Sequence, residues 1–260
     1  MKNAEIFDYA SEPRVSRTRC PACLAPSQRA FANQDRYGYR ITMAGCHCGL
    51  GYLSDVMTRE GYQRFYSGDP SPYRQLVWAY MEHTPYDRQV ANHRLAAIQR
   101  TYGMGLKTWL TSVTGVTPAR VLDAGGSTGL VARYACPPGT SITVLDPAPA
   151  ELIRARGMTQ IRGFVEDRLP AGIEPFDLIL FCETIDHVVD PIAALQNLEA
   201  VLKPDGLLYV DYAWAPMPKI DHPLYFEERS FLALLDRVGL HVAARKTGTN
   251  HCGALCVKRR

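Results

Sequence analysis

Three features are scarce in this 260-residue chain, and each scarcity removes a class of function. Long apolar runs are missing. No stretch of about 18 consecutive apolar residues occurs, so no transmembrane helix is expected. Net charge is also small: 29 Lys and Arg against 26 Asp and Glu leave +3, too little to argue for a nucleic-acid or membrane partner. The opening residues Met1-Lys2-Asn3-Ala4-Glu5-Ile6 lack the apolar core of a signal peptide, which makes a cytoplasmic location the expectation. The eight cysteines do not look like a secreted disulfide framework, because they cluster. In a reducing compartment, clustered pairs point to metal before disulfide.

What is present is an ordinary globular composition, 47% hydrophobic and 21% charged, enough for one sizeable core and a small appendage. The organising stretch is Val121-Leu122-Asp123-Ala124-Gly125-Gly126-Ser127-Thr128-Gly129, followed by Leu130-Val131-Ala132. It reads as strand, tight turn and helix. Glycines let the backbone turn sharply and let a ligand approach closely, and the N–H groups opening the helix favour an electron-rich group. A nucleotide-like cofactor is expected here; the alternative is a glycine-rich turn that binds nothing.

Earlier in the chain, Cys20-Pro21-Ala22-Cys23 is answered by Cys46-His47-Cys48-Gly49. Between them, Phe31 to Met43 carries strand-like residues around a Tyr37-Gly38-Tyr39 turn. Two knuckles flanking a short β segment are the plan of a zinc ribbon. Four thiolates from Cys20, Cys23, Cys46 and Cys48 would close a structural, non-catalytic zinc site. The second knuckle is C-x-C, so His47 is an alternative ligand; a redox pair and unligated thiols are the other readings. Ser67-Gly68-Asp69-Pro70-Ser71-Pro72 breaks the chain. A zinc-ribbon-like module is therefore assigned to residues 1–70, a helical linker or lid to 71–117, and a cofactor-binding domain to 118–260. The helical segment is interrupted at Pro85, and Tyr73, Tyr86 or Arg88 would face the site if it forms a lid.

From residue 118 the pattern alternates. Strands are expected at 119–124, 141–145, 160–161, 176–181, 207–211, 240–245 and 254–258. Helices are expected from 130, and over 148–156, 191–202 and 229–238. The order is α/β, with a mostly parallel sheet covered on both faces. Ligands in such sheets bind beyond the carboxyl ends of the strands, so Asp123, Asp146, the 164–167 loop and Cys182 to His187 should converge.

The turn does not match a dinucleotide fingerprint, since Ala124 takes the first glycine's place and an acid precedes it. An acid there suits a cofactor bearing a cation. Asp146, before Pro147, can accept from two ribose hydroxyls through its two oxygens, or cap the next helix.

On these residues the segment 119–212 resembles the class I S-adenosylmethionine-dependent methyltransferases. The 121–129 stretch is similar to that family's first motif, with Ser127 where the middle glycine usually falls. Val144-Leu145-Asp146 resembles the second, acidic motif. Gly163-Phe164-Val165-Glu166-Asp167-Arg168-Leu169-Pro170 resembles the adenine-side loop; Phe164 replaces the usual acid, leaving the adenine contact to Glu166 or to backbone. The stretch from Phe176 to Pro191 and the Leu202–Leu207 turn complete the set. The resemblance implies a Rossmann-like domain with a seven-stranded sheet whose last strand is antiparallel. It implies S-adenosylmethionine as cofactor, held by Asp123, Gly125, Gly126, Gly129, Asp146, Pro147, Val165, Glu166 and Cys182. The preceding cysteine module resembles a subgroup that acts on sugars or other small metabolites.

Transfer to oxygen, favoured here over carbon, needs a general base. His187 after the fourth strand and His222 after the fifth are the candidates, each with a purely structural alternative. Asn250-His251 can line the same mouth, while Glu183 and Asp186 either bind substrate or cap a helix. The rival readings are an RNA methyltransferase, whose module would use Arg14, Arg17, Arg19, Arg29, Arg36 and Arg40, and a non-catalytic scaffold on a relict cofactor fold. A small-molecule acceptor with no membrane partner is the main expectation; oligomeric state has no signature in the sequence.

Overall fold

A computed structural model describes residues 3–28, 30–148, 156–213, 218–248 and 251–259. Its larger layer is a seven-stranded sheet. In chain order the strands are β6 (Arg120–Ala124), β7 (Ser141–Asp146), β8 (Thr159–Arg162), β9 (Phe176–Phe181), β10 (Leu202–Ala213), β12 (Leu240–Thr247) and β13 (His251–Lys258). Across the sheet they run β12-β13-β10-β9-β6-β7-β8. All pairings are parallel except those of β13, which lies antiparallel between β10 and β12. This is the expected α/β architecture, and its last strand is the antiparallel one. The order reverses direction at β6, so the crevice beyond the ends of β6, β7 and β9 is the natural ligand position.

Helix α5 (Leu130–Ala135) follows β6, α6 (Pro191–Ala200) follows β9, and α7 (Glu228–Arg237) precedes β12. Asp190 caps α6 by accepting from the Ala193 N–H, and Pro191 takes the first helical position, where its missing N–H costs nothing. Leu195, Leu198, Phe231 and Leu234 bury one face of the sheet. The other face is covered by a long helix, α4 (Arg88–Thr114), through Leu106 and Leu110 on Val121, Val144 and Leu180. Between α3 (Pro72–Glu82) and α4, His83 takes a left-handed conformation and Pro85 follows, so the segment breaks where the sequence placed the interruption.

The N-terminal region is built of several short elements. It holds α1 (Asn3–Ile6), a 3-10 turn at Tyr9–Ser11, and β1 (Arg14–Ser16) paired with β5 (Asp55–Met57). A four-stranded antiparallel sheet contains β2 (Phe31–Gln34), β3 (Arg40–Gly45) and β4 (Leu50–Leu53). Its fourth strand is β11 (Leu224–Phe226), which pairs Leu224 with Tyr52 and Phe226 with Leu50. A module ending at residue 70 thus omits one strand of its own sheet, because that strand is only three residues long and carries no pattern of its own. Helix α2 (Arg59–Tyr66) closes this region under a Thr58 cap.

One further expectation differs in detail. Strand β10 starts at Leu202, opposite Phe176, and resumes at Leu207 opposite Leu178, so the 203–206 turn bulges out of a continuous strand. The helix expected over 148–156 falls on residues 149–155, outside the described ones, as do Arg29 and Asn250.

Candidate functional site

The strand ends meet at a cavity of about 810 Å³ between the large sheet and helices α2, α3 and α4. Asp123, Gly125, Gly126, Asp146, Pro147, Val165, Glu166, Cys182 and His187 all line it. Gly129 and His222 do not.

The floor is the β6–α5 turn. Gly125, Ser127 and Gly129 all have left-handed backbone, φ +70°, +51° and +73°. Ser127 thus adopts a conformation that favours glycine, and its N–H donates to Asp146 Oδ2 at 2.9 Å. Gly126 is required for space: a Cβ there would sit 2.4 Å from Asp123 Cγ. Gly129 packs on Val144 and Met158 under the turn rather than on the cavity.

The two strand-end acids differ. Asp146 accepts from Ser127 N–H with one oxygen and from Ala148 N–H, at 2.8 Å, with the other. It therefore makes a local cap, yet each carboxylate oxygen has two acceptor sites, so one remains on each for a hydroxyl. Asp123 is 1% exposed, and its Oδ2 has no hydrogen-bond partner. Burial, with the charge of Asp146 adding, pushes its carboxyl up to about 7. An unpaired buried oxygen beside a glycine cradle fits the ammonium of S-adenosylmethionine, and the free lone pairs of Asp146 fit its ribose. Glu166 lies on the wall, but its Oε1 accepts from Val189 N–H at 2.9 Å, so one oxygen is already engaged in the loop. Arg59 sits over the Phe164 ring and pairs with Asp167, closing that side of the cavity.

The opposite end holds the two histidines, with ring centroids 3.9 Å apart. His187 is half-buried on the wall beside Tyr66 and Tyr73. The Tyr66 hydroxyl donates to the Asp221 carbonyl at 3.3 Å and stands 3.2 Å from His187 Nδ1. Whether Nδ1 donates to that hydroxyl or accepts from it sets which ring nitrogen of His187 carries the proton. Burial, and next the neighbouring His222, push the His187 imidazole down to about 4. His222 lies behind it. Its Nδ1 is 2.6 Å from Asp186 Oδ2 and its Nε2 3.4 Å from Asp221 Oδ2. Burial alone would raise both carboxyls, but His222 holds each below its ordinary value. Asp186, His187 and His222 also bring ligand atoms within 4.8 Å of one another. Buried Lys219 and the Arg36 guanidinium stand against these carboxylates, and the short Asp186–His222 contact makes the group a hydrogen-bonded chain.

Several site residues carried no signal of their own. Asp211 is fully buried on β10. It accepts from the Tyr209 hydroxyl (2.8 Å), from the Tyr102 hydroxyl and from Glu183 N–H (2.8 Å). That last bond holds Glu183 in a left-handed conformation, φ +47°, beside the cavity. An acid inside the apolar run Leu207–Tyr212 was the one available clue. His251 Nδ1 reaches Glu183 Oε1 at 3.2 Å. Tyr73 and Tyr86 line the cavity, whereas Arg88 pairs with Asp69 away from it.

The four N-terminal cysteines also converge. Their sulfurs lie within 4.8 Å of one another, with Cys20–Cys48 at 3.8 Å and Cys23–Cys46 at 3.4 Å. A tetrahedral zinc with bonds of about 2.3 Å sets sulfurs about 3.8 Å apart, so the set fits the metal. His47 is not one of the four; its Nδ1 lies 3.7 Å from Cys46 Sγ.

A family profile described as a methyltransferase domain matches residues 93–245. The chain belongs to the class I methyltransferase family. Among curated proteins it is 31% identical over 107 residues to a ubiquinone biosynthesis O-methyltransferase of Actinobacillus pleuropneumoniae serotype 5b (strain L20), covering 36% of this chain and 46% of that protein. The same-named protein of Xylella fastidiosa (strain 9a5c) is 30% identical over 135 residues, covering 48% and 52%. The chain thus spans about half the length of the curated relatives it matches. Among solved structures, the 1,6-didemethyltoxoflavin-N1-methyltransferase of Burkholderia thailandensis, bound to 1,6-didemethyltoxoflavin and S-adenosylhomocysteine, shares the fold. Its TM-score is 0.58 at 17% identity, over 91% of this chain and all of that one.

Proposed function

We propose that this methyltransferase transfers the methyl group of S-adenosylmethionine to a hydroxyl of a small, planar, mostly apolar secondary metabolite, with His187 as general base. The observation that carries the reading is the His187 ring: it stands on the cavity wall, and burial keeps it neutral at ordinary pH. When bound, S-adenosylmethionine supplies a methyl group already activated on a sulfonium. The chain's tasks are alignment and proton removal. Asp123 and Asp146 hold the cofactor's cation and ribose. Tyr66, Tyr73, Trp78 and Tyr102 wall the acceptor's space, which suits a ring better than a hydrated sugar. His187 accepts the hydroxyl proton as the oxygen attacks. His222 has both nitrogens turned to carboxylates and is set to orient rather than accept.

The ubiquinone-pathway relatives support oxygen as the acceptor atom. An RNA acceptor is less well supported, because four of the module's six candidate arginines are engaged internally. Arg14 donates to the Tyr9 and Ala10 carbonyls, Arg17 to Leu53 and Val189, Arg19 to Leu24, and Arg36 to Asp221. The cysteine cluster is read as structural zinc: metal analysis should give one zinc per chain, and stripping it should unfold the small sheet.

The test is transfer of labelled methyl to a panel of phenols, sugar nucleotides and unmodified RNA, with wild type and His187→Ala. Label on a phenol oxygen, lost in the variant, is expected. Label on RNA alone, or equal transfer by the variant, would sink the reading. Cofactor that binds neither protein would restore the scaffold alternative.

A further inference from the structure

The strands of the small N-terminal sheet do not line the cavity, yet its hairpin reaches the histidine pair. The β2–β3 turn is Asp35-Arg36-Tyr37-Gly38-Tyr39. Asp35 Oδ1 accepts from Tyr37 N–H (2.9 Å) and Tyr39 N–H (3.0 Å), which fixes the turn. Its Oδ2 accepts from Ile220 N–H at 3.2 Å, on the far side of the molecule's sequence. Ile220 belongs to a second tight turn, in which Lys219 and His222 exchange backbone hydrogen bonds of 2.9 and 3.0 Å. One carboxylate therefore joins the two turns.

The side chains continue the link. The Tyr37 hydroxyl donates to Asp221 Oδ2 at 2.8 Å, and Arg36 reaches the same oxygen at 3.3 Å. That oxygen is the one facing His222 Nε2 at 3.4 Å. Strand β11, which follows His222, is pinned to β4 of the same sheet, and Leu53 N–H donates to the Pro223 carbonyl at 2.9 Å. On its other side His222 is held by Asp186. The ring that packs on His187 is thus fixed at both ends, and one of those ends belongs to the cysteine-bearing sheet.

We infer that Tyr37, with Arg36 and through Asp221, is a positioning residue for the His187–His222 pair, and that this is what the N-terminal module contributes to the reaction. The inference rests on His187 being the base. A ring displaced by about 1 Å loses much of its alignment with the reacting atoms. The module then sets the rate of transfer without touching cofactor or acceptor.

The test uses the full-length protein carrying S-adenosylhomocysteine, wild type against Tyr37→Phe. Arg36→Gln is the second variant, since Arg36 is half-exposed and its loss threatens folding less. Ring-proton NMR should show, in wild type, a far-downfield, slowly exchanging His222 Nδ1–H and a close cross-peak between the two histidine rings. In Tyr37→Phe the downfield proton should exchange with water and the cross-peak weaken. S-adenosylhomocysteine affinity should stay within about twofold. With an acceptor from the panel, kcat should drop about tenfold with little change in KM, less than the ~10²–10⁴-fold expected for loss of the base itself. Unchanged ring signals and unchanged kcat in both variants overturn the inference. If His187→Ala leaves transfer intact, the base assignment fails instead, and the ring signals still decide whether the hairpin orients the pair.

Discussion

The cavity has two ends that were built differently. At the cofactor end, consecutive backbone does the work. Asp123 through Gly129 and Asp146 through Ala148 lie on adjacent parallel strands, and Ser127 and Ala148 donate directly to Asp146. At the acceptor end the pieces are scattered along the chain. His187, His222, Tyr66 and Tyr37 come from four separate stretches, joined by Asp186 and Asp221. The contrast extends to charge. The cofactor end leaves a carboxylate oxygen unpaired, ready for a cation, whereas the acceptor end surrounds its charges with partners and keeps one neutral imidazole on the wall. A local end can be held by a short motif; an assembled end needs the whole fold in place.

Mutations should separate the two ends. The largest effect is expected at the acceptor end: His187→Ala should cut kcat by about 10²–10⁴-fold while leaving S-adenosylhomocysteine affinity nearly unchanged. Isothermal titration beside a transfer assay reads both, and a parallel loss of affinity would erase the distinction. Next, Asp146→Ala should weaken cofactor binding by about 10–100-fold, for hydrogen bonds from a charged group worth about 1.5–3 kcal/mol, and calorimetry checks it.

The ends should also differ in their response to pH. Affinity for S-adenosylmethionine should weaken as pH falls through about 7, where Asp123 becomes neutral. At saturating cofactor, the acid limb of kcat should instead lie near 4, where His187 is protonated. One shared limb for both quantities would contradict the assignment.

The smallest effect concerns stability. Asp123 is raised in the fold from an ordinary 3.8 to about 7. The folded state holds the extra proton between those values, so this group lowers stability as pH rises across that window. Without ligand, Asp123→Asn should melt above wild type at pH 8, with the gap closing toward pH 4, while cofactor binding is lost. Thermal unfolding at the two pH values decides it.

This difference in construction explains what could be read in advance. Asp123, the glycines, Asp146 and the 163–167 loop stand in contiguous motifs, and the structure gathers all but Gly129 on or beside the cavity. The sheet was legible for the same reason, as β6, β7 and β9 are short, mostly apolar runs. His187 and His222 were visible as chemistry but not as a pair, because 35 residues of chain give no sign that their rings touch. Tyr66 and Tyr37 were not legible at all, and Asp211 only as an acid in an apolar run: each gains its role from a partner more than 20 residues away. Strand β11 failed for another reason. Three residues are too few to show a period of two.

That strand has a bearing on biosynthesis. Residue 52 leaves the ribosome long before residue 224, so the small sheet must wait with β4 as an open edge until most of the chain has been made. Contacts so distant along the chain close slowly, and an unpaired edge invites mispairing. The first-made module is in this sense finished late. A nascent chain stalled before residue 224 should expose β4 to protease or chaperone, and one released after residue 226 should not.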